Sequence, residues 1–172
     1  AMNEQKAHAR LLIASTSEVY CHSASDPDGK ISETADLVFF SGQFVQETYP
    51  VSKLVNEIMG LSYAATSGIH CVIARLFNTI GVNQCSTYGM VVPSFIEQAL
   101  ANKPITVFGD GKQSRSFSDV RDTVKALVLL LESPISKGQV VNVGHDKECT
   151  ILQLAELIKK MTNSSSEIEF LS

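Results

Sequence analysis

Several features that would place this chain in a specialised class are missing from its sequence. The longest unbroken apolar run is Ala126–Leu131, whereas a helix that spans a bilayer needs roughly 20 residues. Residues 1–6 carry no apolar core, so we expect no secretory signal peptide. Positive charge is not in excess either, because 14 Lys and Arg stand against 18 Asp and Glu. This balance argues against a general nucleic-acid binder, and any phosphate must be bound by a few placed groups.

The cysteines and histidines show no metal-binding spacing. The four cysteines lie far apart without a C-x-x-C motif, which excludes a zinc ribbon and a thioredoxin-like redox motif. The four histidines form no H-E-x-x-H or other paired arrangement. We therefore expect no metal, and we interpret the chain as a reduced, cytoplasmic protein without a nucleic-acid or membrane partner.

What is present is an ordinary globular composition. The 172 residues are 44% hydrophobic and 19% charged, which excludes disorder as the main state and allows one folded domain, or one domain with a small appendage. Strand-like and helix-like segments alternate along the chain. That alternation predicts an α/β fold.

The first half of the chain predicts one βαβ unit. Arg10–Ala14 and Ile69–Leu76 are short apolar runs typical of buried parallel strands. Between them, the spacing predicts a helix over Tyr49–Ser67, with Pro50 in its first turn. Its buried face is predicted to be formed by Leu54, Ile58, Leu61 and Ala65. The long polar stretch from Cys21 to Thr48 is expected to be a functional loop.

The second half predicts shorter elements in the same alternation. Predicted helices are 93–102, 120–132 capped by Asp119, and 151–161 capped by Thr150. In the second of these, Val124, Leu127, Val128 and Leu131 are expected to face inward. Predicted strands or extended pieces are 105–108, 115–118, 139–143 and 168–171.

Chemistry-bearing residues follow the two strands of the βαβ unit. Thr16 and Glu18 come after the first strand, and Phe77 and Asn78 come after the second. Open α/β sheets bind ligands at these carboxyl ends. On the helix between them, Lys53 lies one turn after Tyr49.

The Tyr49 and Lys53 pair has a chemical interpretation. Tyrosine has an ordinary pKa of about 10 and is a poor base at neutral pH, but a neighbouring ammonium group favours the phenolate. Such a phenolate can take the proton of a substrate hydroxyl as a hydride leaves the carbon. Alone, Tyr-x-x-x-Lys is a weak signal that a helix-start tyrosine and a solvated lysine also satisfy.

Five motifs in one order give a much more specific signal. Together they resemble the extended short-chain dehydrogenase/reductase family, specifically its NAD-dependent nucleotide-sugar epimerases, dehydratases and decarboxylases. The resemblance extends from Arg10 to Leu171. The motifs are Ser15-Thr16-Ser17-Glu18-Val19-Tyr20, Tyr49-x-x-x-Lys53, Arg75-Leu76-Phe77-Asn78-Thr79-Ile80-Gly81, Gly109-Asp110-Gly111-Lys112-Gln113-Ser114-Arg115-Ser116-Phe117 and Asp119-Val120-Arg121-Asp122.

The resemblance implies a fold, a cofactor and a set of site residues. The fold is the C-terminal part of a Rossmann-like parallel sheet over residues 1–91, plus a small substrate-binding α/β subdomain over 92–172, with 119–143 able to return to the main sheet. NAD is the implied cofactor and a UDP-linked sugar the implied substrate. A partial sheet would expose an edge and faces that other strands normally cover, so we expect a homodimer in which a second copy covers them. Implied catalytic residues are Thr16, Glu18, Tyr49, Lys53 and Arg115. Implied cofactor-binding residues are Ser15, Tyr49, Lys53 and Phe77, and implied substrate-binding residues are Thr16, Asn78, Val92, Phe108 and Arg115.

Two short motifs narrow the implied reaction. Thr16-Ser17-Glu18 together with Lys112-Gln113-x-Arg115 looks most similar to the UDP-glucuronate decarboxylases, which act through a C4-keto intermediate. Glu18 and Arg115 would then handle the proton at C5. A UDP-sugar 4-epimerase and a 4,6-dehydratase are the alternatives, and Val92 and Phe108 fit plain core positions as well as a uridine pocket.

The sequence also departs from the family. No Gly-rich dinucleotide fingerprint is present, because Gly109-x-Gly111-x-x-Ser114 leads into an extended segment and not into a helix. We therefore expect the dinucleotide-binding half to be missing, which leaves open a catalytically silent nucleotide-sugar-binding or association fragment. Cys21 stands where the family usually has glycine, so the turn after Tyr20 is expected to differ.

Overall fold

The computed structural model describes residues 9–21, 23, 29–40, 42, 44–85 and 90–171. The predictions for residues 1–6 and for parts of the loop over 21–48 lie outside these residues. Its strands are β1 (Arg10–Thr16), β2 (His70–Leu76), β3 (Thr79–Ile80), β4 (Ile105–Phe108), β5 (Ser114–Ser116), β6 (Ser118–Asp119), β7 (Val140–Val143), β8 (Glu148–Thr150) and β9 (Ile168–Leu171). Its helices are α1 (Phe44–Ser67), α2 (Val91–Leu100), α3 (Val120–Glu132) and α4 (Ile151–Met161), with short 3₁₀ helices at Ser17–Tyr20 and Pro134–Ser136.

The predicted α/β class is confirmed. The chain forms two compact units, one made of Ala1–Phe77 and Arg121–Gly144 and the other of Asn78–Val120 and His145–Ser172. Among the residues that the structure describes, no helix has the length and hydrophobicity needed to cross a membrane.

The first unit is built on a parallel sheet with the strand order β1-β2-β7. The predicted βαβ unit is therefore confirmed, with β1 and β2 parallel and α1 connecting them. Thr16 is the register partner of Leu76, so the residues that follow β1 and β2 leave the sheet at the same edge. Leu11, Ile13, Leu61 and Val140 pack around the buried side chains of Ala64, Cys71 and Ile73.

The predicted start of α1 is wrong. The helix begins at Phe44 and not at Tyr49, so Pro50 lies inside it and is buried. A proline within a helix leaves the carbonyl four residues earlier without its usual donor. In the first turn of the helix, the buried carboxylate of Glu47 accepts a hydrogen bond from the backbone N–H of Phe40 at 2.8 Å.

The predicted buried face of α1 is also wrong at two of its four positions. Ile58 is 56% exposed and Ala65 is exposed, whereas Leu54 and Leu61 are half-buried. The side that lies on the sheet carries Glu57, Gly60 and Ala64 instead. A Cβ added at Gly60 would lie 2.3 Å from Cδ1 of Ile13, so the glycine permits this close approach of helix and strand.

The prediction for α3 fails in a similar way. Val124 is 51% exposed and Val128 is 47% exposed, although both were expected to face inward. The less exposed side carries the buried Thr123 and the half-buried Ala126, Leu127, Leu130 and Leu131. Because apolar residues occupy most positions of this helix, helical spacing alone does not distinguish two neighbouring faces.

The second unit has its own core between two helices and a parallel strand pair. Residues of β4 pair with β9 from Ile105–Ile168 to Phe108–Leu171. The buried core residues are Phe95 and Ala99 of α2, Ile105 and Val107 of β4, and Ile151, Leu154, Ala155 and Ile158 of α4. Burial of each large aliphatic side chain stabilises the fold by about 1.5–3 kcal/mol.

The helix that completes this core begins where the sequence predicts. Thr150 accepts a hydrogen bond from the backbone N–H of Gln153, and the Gln153 side chain accepts one from the Thr150 N–H. This reciprocal pair is a capping box, which satisfies two donors at the helix start. The predicted cap and both bounds of α4 are confirmed.

Candidate functional site

In the first unit, Tyr49 and Lys53 occupy successive turns of α1. The Nζ atom of Lys53 lies 5.9 Å from the centroid of the Tyr49 ring, within the range of a cation–π contact. The same Nζ donates to the backbone carbonyl of Ala14 at 3.0 Å. Tyr49 is 49% exposed. The ammonium group is thus held between the end of β1 and a phenol that a ligand can reach.

The last residues of β1 and the short helix that follows it are fixed by local hydrogen bonds. Thr16 is 8% exposed, and its Oγ1 accepts from the Glu18 N–H at 3.2 Å, which caps the 3₁₀ helix over Ser17–Tyr20. Ser15 is buried, and its hydroxyl donates to the carboxylate of Glu57. Glu18 is exposed. This arrangement holds the Thr16 hydroxyl in one orientation at the carboxyl edge of the sheet.

The turn after Tyr20 passes through Cys21 in a backbone conformation that glycine adopts more readily. Cys21 has φ +37°, in the left-handed region that favours glycine. Burial raises the pKa of its thiol, and the charges of Glu47 and Glu18 raise it further. The thiol is therefore held in its neutral form at neutral pH and is a poor nucleophile.

Phe77 is placed at the end of β2 by the neighbouring strand. Its backbone N–H donates to the carbonyl of Val143 at 2.9 Å. Its side chain lies against Gly144, where an added Cβ would come within 3.0 Å of the Phe77 side chain. The glycine that follows β7 therefore leaves room for this ring.

In the second unit, three predicted substrate-binding residues share one cavity of about 390 Å³. Asn78, Phe108 and Arg115 all line it. Asn78 Nδ2 donates to the carbonyl of Ser116 at 3.1 Å, and Arg115 Nη1 donates to the carbonyl of Ser114 at 2.8 Å. A guanidinium, an amide and an aromatic ring around one cavity suit a ligand with an anionic part and a planar ring.

The fourth predicted residue of this group, Val92, lies elsewhere. Val92 packs against the core of the second unit, and its neighbour Val91 lines the cavity. Phe108 is 67% exposed. Phe108 thus lines the cavity and lies outside the core cluster. The sequence allowed both a core position and a pocket position for Val92 and Phe108, and the structure places Val92 in the first and Phe108 in the second.

Further residues complete the cavity. Gln98 Nε2 donates to Thr106 Oγ1 at 2.8 Å, and Gln98 Oε1 accepts from the Thr106 N–H at 3.1 Å. Gln113 Nε2 donates to the carbonyl of Phe108 at 2.9 Å. Ser94 and Phe117 also line the cavity. Gln113 belongs to the Lys112-Gln113-x-Arg115 motif, whereas Gln98 and Thr106 carry no sequence signal.

A buried ion pair in the first unit was also missed. Arg75 Nη2 lies 2.7 Å from Glu57 Oε2, and both side chains are almost fully buried. The available signal was the position of Glu57, one turn after Lys53 on α1. In the part of the chain that the structure describes, no cluster of His, Cys, Asp and Glu is arranged to hold a metal ion.

Residues 1–144 match the model of the NAD-dependent epimerase/dehydratase family. The chain belongs to this family. This confirms the resemblance drawn from the five motifs, and NAD is the cofactor of the family. The predicted fold is confirmed as well, because the solved structures that the chain matches are epimerases and dehydratases with the same Rossmann-like architecture.

Individual relatives are similar over nearly all of the chain. UDP-glucuronic acid decarboxylase 1 of Xenopus tropicalis is 40% identical over 95% of the chain. The structure of a UDP-N-acetylglucosamine 4-epimerase from Methanobrevibacter ruminantium with UDP-N-acetylmuramic acid matches 99% of the chain, with 28% identity and a TM-score of 0.85. A UDP-glucuronic acid 4-epimerase from Bacillus cereus, solved with UDP-glucuronic acid and NAD, matches 95% of it, with 30% identity and a TM-score of 0.79.

The chain is much shorter than these proteins. It spans 38% of the Xenopus decarboxylase, 52% of the Methanobrevibacter epimerase and 48% of the Bacillus epimerase. The matched part contains both the Tyr49–Lys53 pair and the cavity around Arg115.

Proposed function

We propose that the chain is the portion of an NAD-dependent UDP-glucuronate decarboxylase that carries its catalytic tyrosine and its substrate pocket. One observation carries the proposal: Lys53 holds its ammonium group beside the half-exposed ring of Tyr49, at the edge of the sheet where β1 ends with Thr16. The 40% identity to a UDP-glucuronic acid decarboxylase supports this reaction within the family.

In this proposal, Tyr49 is the base for the C4 hydroxyl of the sugar. Its hydroxyl oxygen takes the proton of the sugar hydroxyl, with the ammonium group of Lys53 beside the ring. Thr16 donates or accepts a hydrogen bond at the same oxygen and fixes the orientation of the sugar. The Thr16 hydroxyl also accepts from the Glu18 N–H.

The residues present fit one end of NAD. A lysine ammonium and a phenol suit the hydroxyl groups of the nicotinamide ribose, and Ser15, Tyr49, Lys53 and Phe77 would hold this end. Bound there, NAD would supply a hydride acceptor for C4 of the sugar and, in its reduced form, a hydride donor. Among the residues that the structure describes, no Gly-rich turn leads into a helix that could cradle the pyrophosphate, since Gly109 and Gly111 lead into β5.

Loss of CO₂ follows from the C4 ketone in the sugar. The carboxylate is attached to C5, next to the C4 ketone. It is lost readily as CO₂, because the ketone accepts the electron pair of the broken C5–C6 bond and an enolate forms. The enolate is then protonated at C5. Glu18 is the residue that we propose as the source of this proton.

A 4-epimerase is the second candidate function. The two solved 4-epimerases described above match the chain with TM-scores of 0.85 and 0.79, and one of them holds UDP-glucuronic acid. A 4,6-dehydratase requires removal of a C6 hydroxyl, which a uronic acid does not have. The two leading candidates therefore share a substrate and differ in the product.

Mass spectrometry of the product from UDP-glucuronate separates these reactions. We expect the intact protein, supplied with NAD, to convert UDP-glucuronate into a product that is lighter by the mass of CO₂. A product of unchanged mass would replace the decarboxylase with the epimerase. If no product forms from UDP-glucuronate, both the decarboxylase and the epimerase proposals are contradicted. A catalytically silent nucleotide-sugar-binding role is then the remaining hypothesis.

We further propose that the cavity of the second unit holds the nucleotide part of the substrate. Replacing Arg115 by alanine is expected to weaken UDP binding to the intact protein by about 10- to 100-fold, because a hydrogen-bonded charge contributes about 1.5–3 kcal/mol. Isothermal titration calorimetry with UDP measures the change. Lys112→Ala is the matched control, since Lys112 is an exposed cation of the same turn that pairs with Asp110. If both variants lose the same UDP affinity, Arg115 contributes only its positive charge and makes no specific contact with the nucleotide.

A homodimer is the proposed assembly, and the outer side of α1 supports it. All three charged residues of α1, Glu47, Lys53 and Glu57, are buried or half-buried. The exposed side carries large apolar residues without charge, namely Val55 at 46%, Ile58 at 56%, Met59 at 64% and Tyr63 at 53% exposure. Depletion of charge with Met and Tyr enrichment is typical of the centre of a protein interface. A monomer in light scattering of the intact protein would contradict this assembly.

The cytoplasm is the proposed location. Cys21, Cys71, Cys85 and Cys149 are free thiols, which a reducing compartment maintains. Burial raises the pKa of the Cys71 and Cys149 thiols, so both are expected to stay protonated and unreactive.

A further inference from the structure

A buried, fully paired group of polar side chains lies directly behind the proposed catalytic residues. Glu57 is 2% exposed and Arg75 is 5% exposed. Arg75 Nη2 donates to Glu57 Oε2 at 2.7 Å and Arg75 Nε donates to Glu57 Oε1 at 3.0 Å, which is a two-pronged contact. Neither residue belongs to the proposed substrate or cofactor contacts. A buried ion pair is weak evidence for stability by itself, because desolvation offsets much of the attraction.

The pair fastens α1 to the end of β1. The Ser15 hydroxyl donates to Glu57 Oε1, and one helical turn earlier Lys53 Nζ donates to the carbonyl of Ala14. Two consecutive residues of the strand are therefore bound to two residues of the helix. Such a two-point attachment fixes both the rotation of α1 and its position along the strand. Tyr49 lies one turn beyond Lys53.

On its other side, Arg75 is joined to the segment over residues 29–40. The guanidinium carbon lies 4.8 Å from the centroid of the Tyr20 ring, and the Tyr20 hydroxyl donates to Asn142 Oδ1 at 2.7 Å. Asn142 in turn donates from its backbone N–H to Glu33 Oε1 at 2.9 Å and from Nδ2 to the Ile31 carbonyl at 3.0 Å. An unbroken chain of contacts thus runs from Ser15 to residues 31–33.

We propose that Glu57 and Arg75 are positioning residues. They set the Tyr49 phenol against the Thr16 hydroxyl through α1 and β1, and they dock residues 31–33 through Tyr20 and Asn142. This inference rests on the proposed function for its kinetic consequence but not for its structural one. A well-packed apolar pair of similar volume would serve stability at least as well, so the polar pair is explained by the fixed geometry of its hydrogen bonds.

The experiment compares three variants of the intact protein. Glu57→Gln keeps the shape and removes the charge. The double variant Glu57→Leu with Arg75→Met replaces the pair by apolar side chains. Ile73→Val, on β2 and buried in the core of the same unit, is the control for a general loss of packing.

Steady-state kinetics and hydrogen exchange are the two readouts. For Glu57→Gln and for the double variant, we expect kcat for UDP-glucuronate to fall about 10- to 100-fold, since a displacement of about 1 Å costs up to 10²-fold. We expect a smaller effect on KM, because Glu57 and Arg75 act on the Tyr49 base and do not line the cavity that we propose for the nucleotide. Amide hydrogens of residues 9–21 and 29–40 are expected to exchange faster in both variants and not in Ile73→Val.

The outcomes separate this inference from the proposed function. Wild-type kcat in either variant overturns the kinetic part, and the folded double variant decides this even where Glu57→Gln fails to fold. If the intact protein forms no product from UDP-glucuronate, the proposed function fails. Hydrogen exchange alone then tests whether Glu57 and Arg75 position residues 9–21 and 29–40. Unchanged exchange over residues 9–21 and 29–40 then overturns the positioning role, and faster exchange confined to these segments supports it.

Discussion

Replacing Tyr49 by phenylalanine in the intact protein is expected to lower kcat for UDP-glucuronate by about 10²- to 10⁴-fold, the usual contribution of a positioned general base. The phenylalanine ring keeps the contact that Lys53 makes with the aromatic face at 5.9 Å, so the helix and the ammonium group stay in place. Only the atom that accepts the substrate proton is removed. Steady-state kinetics measures kcat, and the thermal midpoint of unfolding confirms that the fold is kept.

Tyr63→Phe provides the control for this substitution. Tyr63 lies on the same helix and is 53% exposed, close to the 49% of Tyr49. The two substitutions therefore change the same chemical group on one element at similar exposure, and only one of them lies beside Lys53. Wild-type kcat in Tyr49→Phe, or an equal loss in Tyr63→Phe, would contradict the assignment of the base.

Much of the fold could be predicted because its signals are local. The strand over Ile105–Phe108 and the helix over Ile151–Met161 are bounded as predicted. Both are bracketed by residues that determine backbone conformation nearby, such as Thr150 at the cap and Gly109 with φ +73° after the strand. The parallel βαβ unit followed equally from its two apolar runs and the helix between them.

The faces of α1 and α3 could not be predicted in the same way. Helical spacing assigns apolar residues to the inside, but α1 turns Glu57 inward and leaves Ile58 exposed. The reason is that Arg75, on a strand distant in sequence, pairs with Glu57 and offsets the free-energy cost of burying its carboxylate. Such a pairing depends on tertiary contacts that no local pattern contains.

The candidate site shows the same division. Tyr49, Lys53 and Thr16 were identified because their spacing and order form a motif, and Asn78, Phe108 and Arg115 share one cavity. Gln98 and Thr106 were missed because their hydrogen-bonded pair joins α2 to β4 and has no sequence pattern. Whether the proposed roles are right is decided by the substitutions and not by the placement.

The largest expected change in stability belongs to Arg75→Met. The substitution leaves the Glu57 carboxylate 2% exposed and without its cationic partner, and removal of one member of a buried ion pair costs about 3–5 kcal/mol. Ile73→Val, in the same unit, is expected to cost about 0.5–1.5 kcal/mol for the loss of one methylene group. Urea unfolding of the intact protein, followed by circular dichroism, measures both free energies of unfolding.

The double variant Glu57→Leu with Arg75→Met distinguishes an unpaired charge from lost packing. With the carboxylate removed, no charge is left uncompensated, so the double variant is expected to be more stable than Arg75→Met alone and close to the wild type. The two members of the pair would then be strongly coupled in stability. A cost for Arg75→Met no greater than that for Ile73→Val, or equal costs for the single and double variants, would show that the pair is not the buried charge contact that the structure describes. If the double variant keeps wild-type stability but loses turnover, the polar pair is needed to position Thr16 and Tyr49 and not to stabilise the fold.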